Sequence, residues 1–213
     1  MRNLAVALMI VASLIGAAPA TPALSAPPDE SFASWFQKDG VDVSIARSET
    51  PWIRASTEIA APAADVEAAV TDFDRYEKTF HPMFKKLDVL ERAGDRTRVH
   101  AVWPFPWPLR DRDGIFEYTT EHSDGGVTTL RWTNGARPGD PSTGVRINGI
   151  GGSLRITPLG KDHCRLLYTY YGDLGGNFGK SRSDKAWRGQ PLLYFGAIRR
   201  AVEKQDGSGI RQK

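Results

Sequence analysis

The succession of segments in this chain predicts an α+β fold, in which one antiparallel sheet buries its apolar face against a single long helix near the C-terminus. Three observations carry the prediction. Alternating apolar and polar segments follow one another from residue 41 to residue 173, with Gly, Asp and Pro turn chemistry between them. Beyond a short piece at 32–37, helical patterns fall only at 62–84 and 184–205. The strand-helix-strand alternation that builds a parallel sheet is absent.

The elements are read in order from the N-terminus. Residues 1–25 combine Arg2, an apolar run over 4–15 and a small-residue stretch over 16–25, the layout of a secretory signal peptide. The run is shorter than the roughly 20 residues a bilayer-spanning helix needs. Cleavage after Ala20 or Ser25 suits the pattern, whereas a cut after Ala26 would leave Pro27 at the new terminus. The mature protein is therefore expected to be secreted or periplasmic. Residues 26–42 read as a tether with a short helix over 32–37, and the folded domain as 43–205. Strands are expected at 41–45 and 52–59, separated by Pro51. Pro62-Ala63-Ala64-Asp65 opens an Ala-rich helix to about Asp72, and 73–84 reads as a second helical piece broken near His81-Pro82.

A strand run follows. Segments at 87–89 and 99–103 flank Gly94-Asp95, and a Pro-rich stretch occupies 103–108. Segments 112–122 and 127–133 form a hairpin over Asp124-Gly125-Gly126. After a loop at 134–143 comes a strand over 145–158, whose alternation changes phase and predicts a β-bulge within 149–152. A last strand over 164–173 follows Gly160-Lys161-Asp162. The final helix, 184–205, is capped by Ser183 or Asp184, and Pro191 marks a kink or its true start. It turns Trp187, Phe195, Ile198 and Val202 toward the sheet, and residues 206–213 form a disordered tail.

Parity along each strand assigns side chains to faces. In 112–122, Asp113, Ile115, Glu117 and Glu121 share one face, read as the solvent side. Arg112, Phe116 and Tyr118 share the other. The same test turns Val99, Ala101, Trp103, Leu130, Trp132, Leu166, Tyr168 and Tyr170 inward, with Arg98 and His100 outward. An inward guanidinium has to be paired or meet a ligand, because leaving it unpaired in a dry site costs several kcal/mol. Arg112 therefore reads either as half of a buried salt bridge, to Asp173 or an acid near the early helices, or as a donor to the polar end of a ligand.

Composition narrows the function classes. The chain has 213 residues, 40% hydrophobic and 25% charged, enough for one domain. Its 28 Lys and Arg are interspersed with 25 Asp and Glu, without the cationic stripe of a nucleic-acid binder. Cys164 is the only cysteine, so an exported chain has no internal disulfide and must rely on an ordinary core. Cys164 itself reads as a buried structural thiol. The four histidines, His81, His100, His122 and His163, stand far apart, which does not suggest a metal site. Asp111 and Asp113 read as an ion-pair cluster with Arg110 and Arg112 rather than as a cation site. No phosphate-binding glycine loop or nucleophile elbow occurs, and no cofactor is expected.

The stretch Trp107-Pro108-Leu109-Arg110-Asp111-Arg112-Asp113, followed by Gly151-Gly152-Ser153-Leu154-Arg155-Ile156-Thr157-Pro158 and by Tyr168 to Asp173-Leu174-Gly175-Gly176, resembles the bacterial START-like branch of the helix-grip (SRPBCC, polyketide cyclase-like) superfamily. Thr71-Asp72-Phe73-Asp74-Arg75-Tyr76 and Pro82-Met83-Phe84 fit the same branch, and the resemblance covers about 43–203. Leu154 stands where the family often has Trp, and Asn177-Phe178-Gly179-Lys180 where a Pro often follows the paired glycines. The resemblance implies a helix-grip fold, a curved antiparallel sheet around a long C-terminal helix, with a cavity for a hydrophobic molecule.

The ligand-binding residues expected on that basis are Arg112, Trp103, Phe116, Tyr118, Trp132, Tyr168, Tyr170, Trp187 and Phe195. For any one of the aromatics, plain core filling fits equally well. The leading expectation is a noncatalytic, exported carrier of a lipid or other hydrophobic small molecule, acting as a monomer with transient membrane contact and without nucleic acid. The alternatives are a cyclase/aromatase-like enzyme acting on a hydrophobic carbonyl substrate, and an envelope protein whose cavity is closed by its own side chains.

Overall fold

Asp39 and Gly40 turn the chain with φ of 53° and 71°, the left-handed pair that suits a two-residue hairpin between right-twisted strands. They join β1 (Ala33–Lys38) to β2 (Val41–Ala46), with Lys38 opposite Val41. The short helix expected over 32–37 is therefore a strand: the Asp-Gly turn and the β-favouring Trp35-Phe36 pair outweigh the helical spacing. Half of the expected tether thus belongs to the sheet. The computed structural model describes residues 25–48, 50–173 and 188–207, the last five as backbone only. The expected leader, but for Ser25, and the expected tail from 208 onward lie outside the described residues, while 206 and 207, expected in the tail, close the last helix.

The remaining strands are β3 (Trp52–Ile59), β4 (Lys86–Ala93), β5 (Arg96–Trp103), β6 (Arg112–Ser123), β7 (Val127–Asn134), β8 (Val145–Arg146), β9 (Ile150–Pro158) and β10 (Cys164–Gly172). They form one sheet in the order β1-β2-β3-β10-β9-β7-β6-β5-β4. Neighbours along that path are antiparallel, and the short β8 pairs with β6 in parallel. The phase change expected to mark a bulge within 149–152 is instead a break between two strands. Val145 and Arg146 sit against Arg112 and Asp113, the chain steps across at 147–149, and β9 then runs in unbroken register with β10. Val145 and Ile147 follow a different parity from Ile150, Leu154 and Ile156 because the two sets belong to strands with different neighbours.

Among the described residues, three α-helices accompany the sheet. Pro62 precedes α1 (Ala63–Thr71), which buries Val66, Ala69 and Val70. The second helical piece is shorter than expected, a single turn α2 (Tyr76–Thr79). Helix α3 (Gln190–Gly207) carries Pro191 at its second residue, where the missing N–H has no intrahelical partner to lose. Its buried face includes Tyr194, Phe195, Ile198 and Val202, and it contacts α1, α2, β2 and β3. The expected residues Trp187 and Asp184 lie outside the described residues.

The inward side of the sheet carries Val99, Ala101, Phe116, Tyr118, Leu130, Trp132, Leu166, Tyr168 and Tyr170 in one core with α1 and α3, as the parity predicts. The outward side departs from it. Arg98, His100 and Asp113, read as facing solvent, are buried. The segment from Asn134 to Ile147 folds over that face and supplies partners: Asp140 accepts two hydrogen bonds from Arg98 at 2.7 and 2.8 Å, and Arg146 donates to Asp113 at 2.7 and 3.1 Å. His100 Nε2 lies 3.0 Å from the same Asp113 oxygen. The acids near Arg112 are ion-paired as expected, though with other partners: Asp111 meets Lys85 and Asp113 meets Arg146.

Candidate functional site

A small pocket lies where the concave face of the sheet meets α3. The strands contribute Trp103, Phe116, Tyr118, Trp132, Ile150, Tyr168 and Tyr170; the turn around α2 adds Tyr76, Met83 and Phe84; α3 adds Gln190 and Tyr194. Two glycines on the same side make room for the rings. A Cβ on Gly152 would lie 2.6 Å from the Trp132 indole, and one on Gly114 would lie 2.8 Å from the Phe116 ring. Gly152 is paired with Trp132 on one side and Tyr170 on the other, so the notch it leaves lets Trp132 reach Tyr168, with ring centroids 5.4 Å apart. Tyr168 in turn stacks on Tyr194 at 4.9 Å.

The polar atoms of this wall are neutral. The Tyr76 and Tyr194 hydroxyls lie 3.1 Å apart, and Gln190 Nε2 donates to the Tyr168 hydroxyl at 2.8 Å. Gln190 Oε1 is buried and has no hydrogen-bond partner among the described residues. Burial pushes the phenols of Tyr76, Tyr118, Tyr168, Tyr170 and Tyr194 well up from their ordinary value, because a phenolate would be stranded among aromatic rings. They therefore stay protonated at neutral pH and can donate hydrogen bonds. The pocket volume is about 40 Å³, room for a few water molecules.

Six of the nine expected residues, Trp103, Phe116, Tyr118, Trp132, Tyr168 and Tyr170, are brought together here. Phe195 is fully buried in the core beside Tyr168 and does not line the space. Trp187 lies outside the described residues. Arg112 is buried, but the described lining does not include it: its guanidinium donates to the Arg110 carbonyl and stacks over the Phe105 ring at 4.9 Å. Tyr76, Met83, Phe84, Ile150, Gln190 and Tyr194 were not anticipated. Tyr194 and Gln190 stand four residues apart, a spacing that puts them on one helix face, and Tyr194 adjoins Phe195, which the periodicity did select.

A sheet gripping one C-terminal helix over an aromatic pocket defines a START-like helix-grip domain. Residues 51–190 match the family described as polyketide cyclase / dehydrase and lipid transport, and the chain belongs to that family. An uncharacterized protein of Pseudomonas aeruginosa is 24% identical over 172 residues, covering 79% of this chain and 85% of its own. Among solved structures, the STAR-related lipid transfer protein of Xanthomonas axonopodis superposes with a TM-score of 0.73 at 20% identity, over 81% of this chain and 99% of that one. The Zhui aromatase/cyclase from Streptomyces gives 0.55 at 15% identity, over 74% and 96%. At these identities the structural likenesses speak to the fold.

Proposed function

We propose that this protein is an exported binding or transfer protein for a lipid or similar hydrophobic molecule, held between the sheet and α3. The observation that carries the reading is the pocket wall, in which aromatic faces surround a few neutral hydrogen-bonding groups. Apolar burial, worth roughly 25 cal/mol per Å² before association costs, would drive binding. The buried Gln190 oxygen and the tyrosine hydroxyls would receive the polar end. Phenols held protonated by burial serve as hydrogen-bond donors at neutral pH, and the export leader weighs against a cyclase, whose substrates are made on cytosolic carriers. The leader at 1–25 supports export, and a carrier of this kind exchanges its ligand at a membrane, as a monomer.

An open ligand pocket measures roughly 300–1,000 Å³, so the 40 Å³ observed corresponds to a closed state. Admission requires lining rings such as Trp132 and Tyr168 to swing outward. The same small volume favours, as a second reading, an interior filled by its own side chains. Native mass spectrometry of gently purified protein, with extraction of whatever co-purifies, separates the two. A bound apolar molecule of defined mass is expected; a ligand-free protein that also takes up no fluorescent lipid would leave the filled interior standing. Recovery of a chain starting between residues 21 and 28 outside the cytoplasm is expected by N-terminal sequencing, and an intact Met1 refutes export.

A further inference from the structure

On the helical side of the molecule, the surface is cut by a groove of about 1,120 Å³ where α1, α2 and α3 meet. Ala68 and Ala69 of α1 line one flank, and Ala197 and Ala201 of α3 the other. Arg75, Lys78 and Arg200 are exposed along the same groove, with His81 beside them. Residues 197, 200 and 201 share one face of α3, so the cation at 200 stands next to the alanines. Among the described residues the lining holds one acid, Asp72, 3.7 Å from Arg75. The neighbouring Asp74 is turned to Arg92 at 2.9 Å.

Lys78 and Arg200 have no ion-pair partner among the described residues. This sets them apart from the cations of the sheet side. Lys85, Arg92, Arg98, Arg131, Arg146 and Arg165 each lie 3.1 Å or less from a carboxylate oxygen. In the groove, three cations against one carboxylate leave an excess of two positive charges before His81 is counted. The shape narrows the occupant further. A helix about 10 Å across fills such a volume over roughly 14 Å, between two and three turns. Alanines on both flanks put no long side chain in its way, which allows the separation of about 8 Å found between closely packed helices. A bilayer suits the place poorly, because it is flat and the lining offers no Trp, Phe or Leu to insert. Nor do so few cations make the basic stripe of a nucleic-acid binder.

We propose that this groove docks an acidic amphipathic helix of a partner protein, with its small side chains against the alanines and its carboxylates on Arg75, Lys78 and Arg200. Helix-in-groove docking of this kind draws its affinity from the buried face and its orientation from the flanking charges. The proposal goes beyond the carrier reading and holds whatever the interior pocket contains.

The test is fluorescence anisotropy of the full chain with a labelled, stapled synthetic helix that has alanine along one face and glutamate on either side. Two comparison peptides carry lysine in place of glutamate, or the same residues in an order that destroys the face. The acidic helix should bind, and the comparison peptides at least about tenfold more weakly. Raising the salt from about 0.05 to 0.3 M should weaken the binding. Lys78→Glu and Arg200→Glu should each weaken it about tenfold or more, with unchanged melting curves because both side chains are exposed. Ala68→Gln, at an exposed helical position, should do the same by placing a longer side chain in the groove. Arg155→Glu makes the same charge change on the outer face of β9 and should leave binding as it was. The proposal is overturned if the parent does not prefer the acidic helix, if Arg155→Glu weakens binding as much as Arg200→Glu, or if Ala68→Gln binds like the parent. It is also overturned if phosphatidylglycerol vesicles, and not the helix, bind in a way that Arg200→Glu abolishes, since the cations would then serve a lipid surface.

Discussion

Gly152 is where the packing of the pocket can be tested with a single methyl group. An alanine there would press its Cβ on the Thr169 carbonyl oxygen and bring it within 2.6 Å of Trp132 Cζ2 and 2.8 Å of Tyr170 Cβ. The Trp132 ring can move, but the Thr169 oxygen belongs to the backbone of β10, which is paired to β9 along its whole length. Added bulk in a packed interior costs about 1–3 kcal/mol, and with a backbone atom among the obstacles the upper end applies, about 3 kcal/mol. For a domain of this size that lowers the melting temperature by about 6–12 °C. Thermal unfolding followed by far-UV circular dichroism reads the loss, and tryptophan emission reads the displacement of Trp132 toward a wetter site. Gly160→Ala is the control, since a Cβ there meets nothing within 4 Å, and it should stay within about 0.5 kcal/mol of the parent. If Gly152→Ala melts within a degree or two of the parent with unchanged emission, Trp132 does not occupy the notch and the pocket wall is wrongly drawn.

Three further outcomes are expected. Ile198→Asp, which places a carboxylate on the buried face of α3, should destabilise by several kcal/mol in urea unfolding, and a melt like the parent's would mean that the sheet does not grip the helix. Asp113→Asn should cost about 3 kcal/mol, the low end for breaking a buried pair, because Arg146 keeps some contact with water. The same carboxyl sets an acid limit: burial acts to raise it, but hydrogen bonds from Arg146 and His100 outweigh burial and hold it below its ordinary value. A depressed carboxyl stabilises above its unfolded value of about 3.9 and ceases to do so as pH falls through the folded one. Stability should therefore be level from pH 7 to about 5 and fall below about 4, less steeply in Asp113→Asn. Cys164, fully buried and with its thiol pushed up to about 11 by desolvation, should resist thiol reagents at pH 8 until the protein unfolds; rapid labelling of folded protein would contradict its place between β3 and β9.

The inward half of the molecule was legible because a strand's period of two is stated directly by its side chains. Tyr168 and Tyr170, or Leu130 and Trp132, declare a shared face without knowledge of any partner. The outer face was not, since Asp113 and His100 look like ordinary solvent-side residues until the 134–147 segment covers them, and the pairing of Arg98 with Asp140 spans 42 positions. Phe105 shows the same limit at the site. Parity turned Arg112 inward, but nothing local says that the guanidinium would meet the Phe105 ring and the Arg110 carbonyl. Tyr76, on a helix of one turn, offered too short a period to reveal its face. The Asp39-Gly40 hairpin, by contrast, carries an explicit local signal that outweighs the helical reading of 32–37.

The pairing of β3 with β10 joins residues about a hundred positions apart, and this separation governs how the molecule can be made. As the chain is synthesised, β1, β2 and β3 can form a meander at once, and β4 to β7 another, because their partners are close in sequence. Within the sheet, the two halves are joined through β9 and β10, the last of the described strands to emerge. Until then β3 presents a bare edge rich in apolar side chains, the kind of template on which chains stick to one another, and the slow closure of distant strands prolongs that exposure. A chain truncated before Cys164 would keep both open edges permanently, so loss of the final quarter of the sequence should yield aggregate rather than a smaller folded domain.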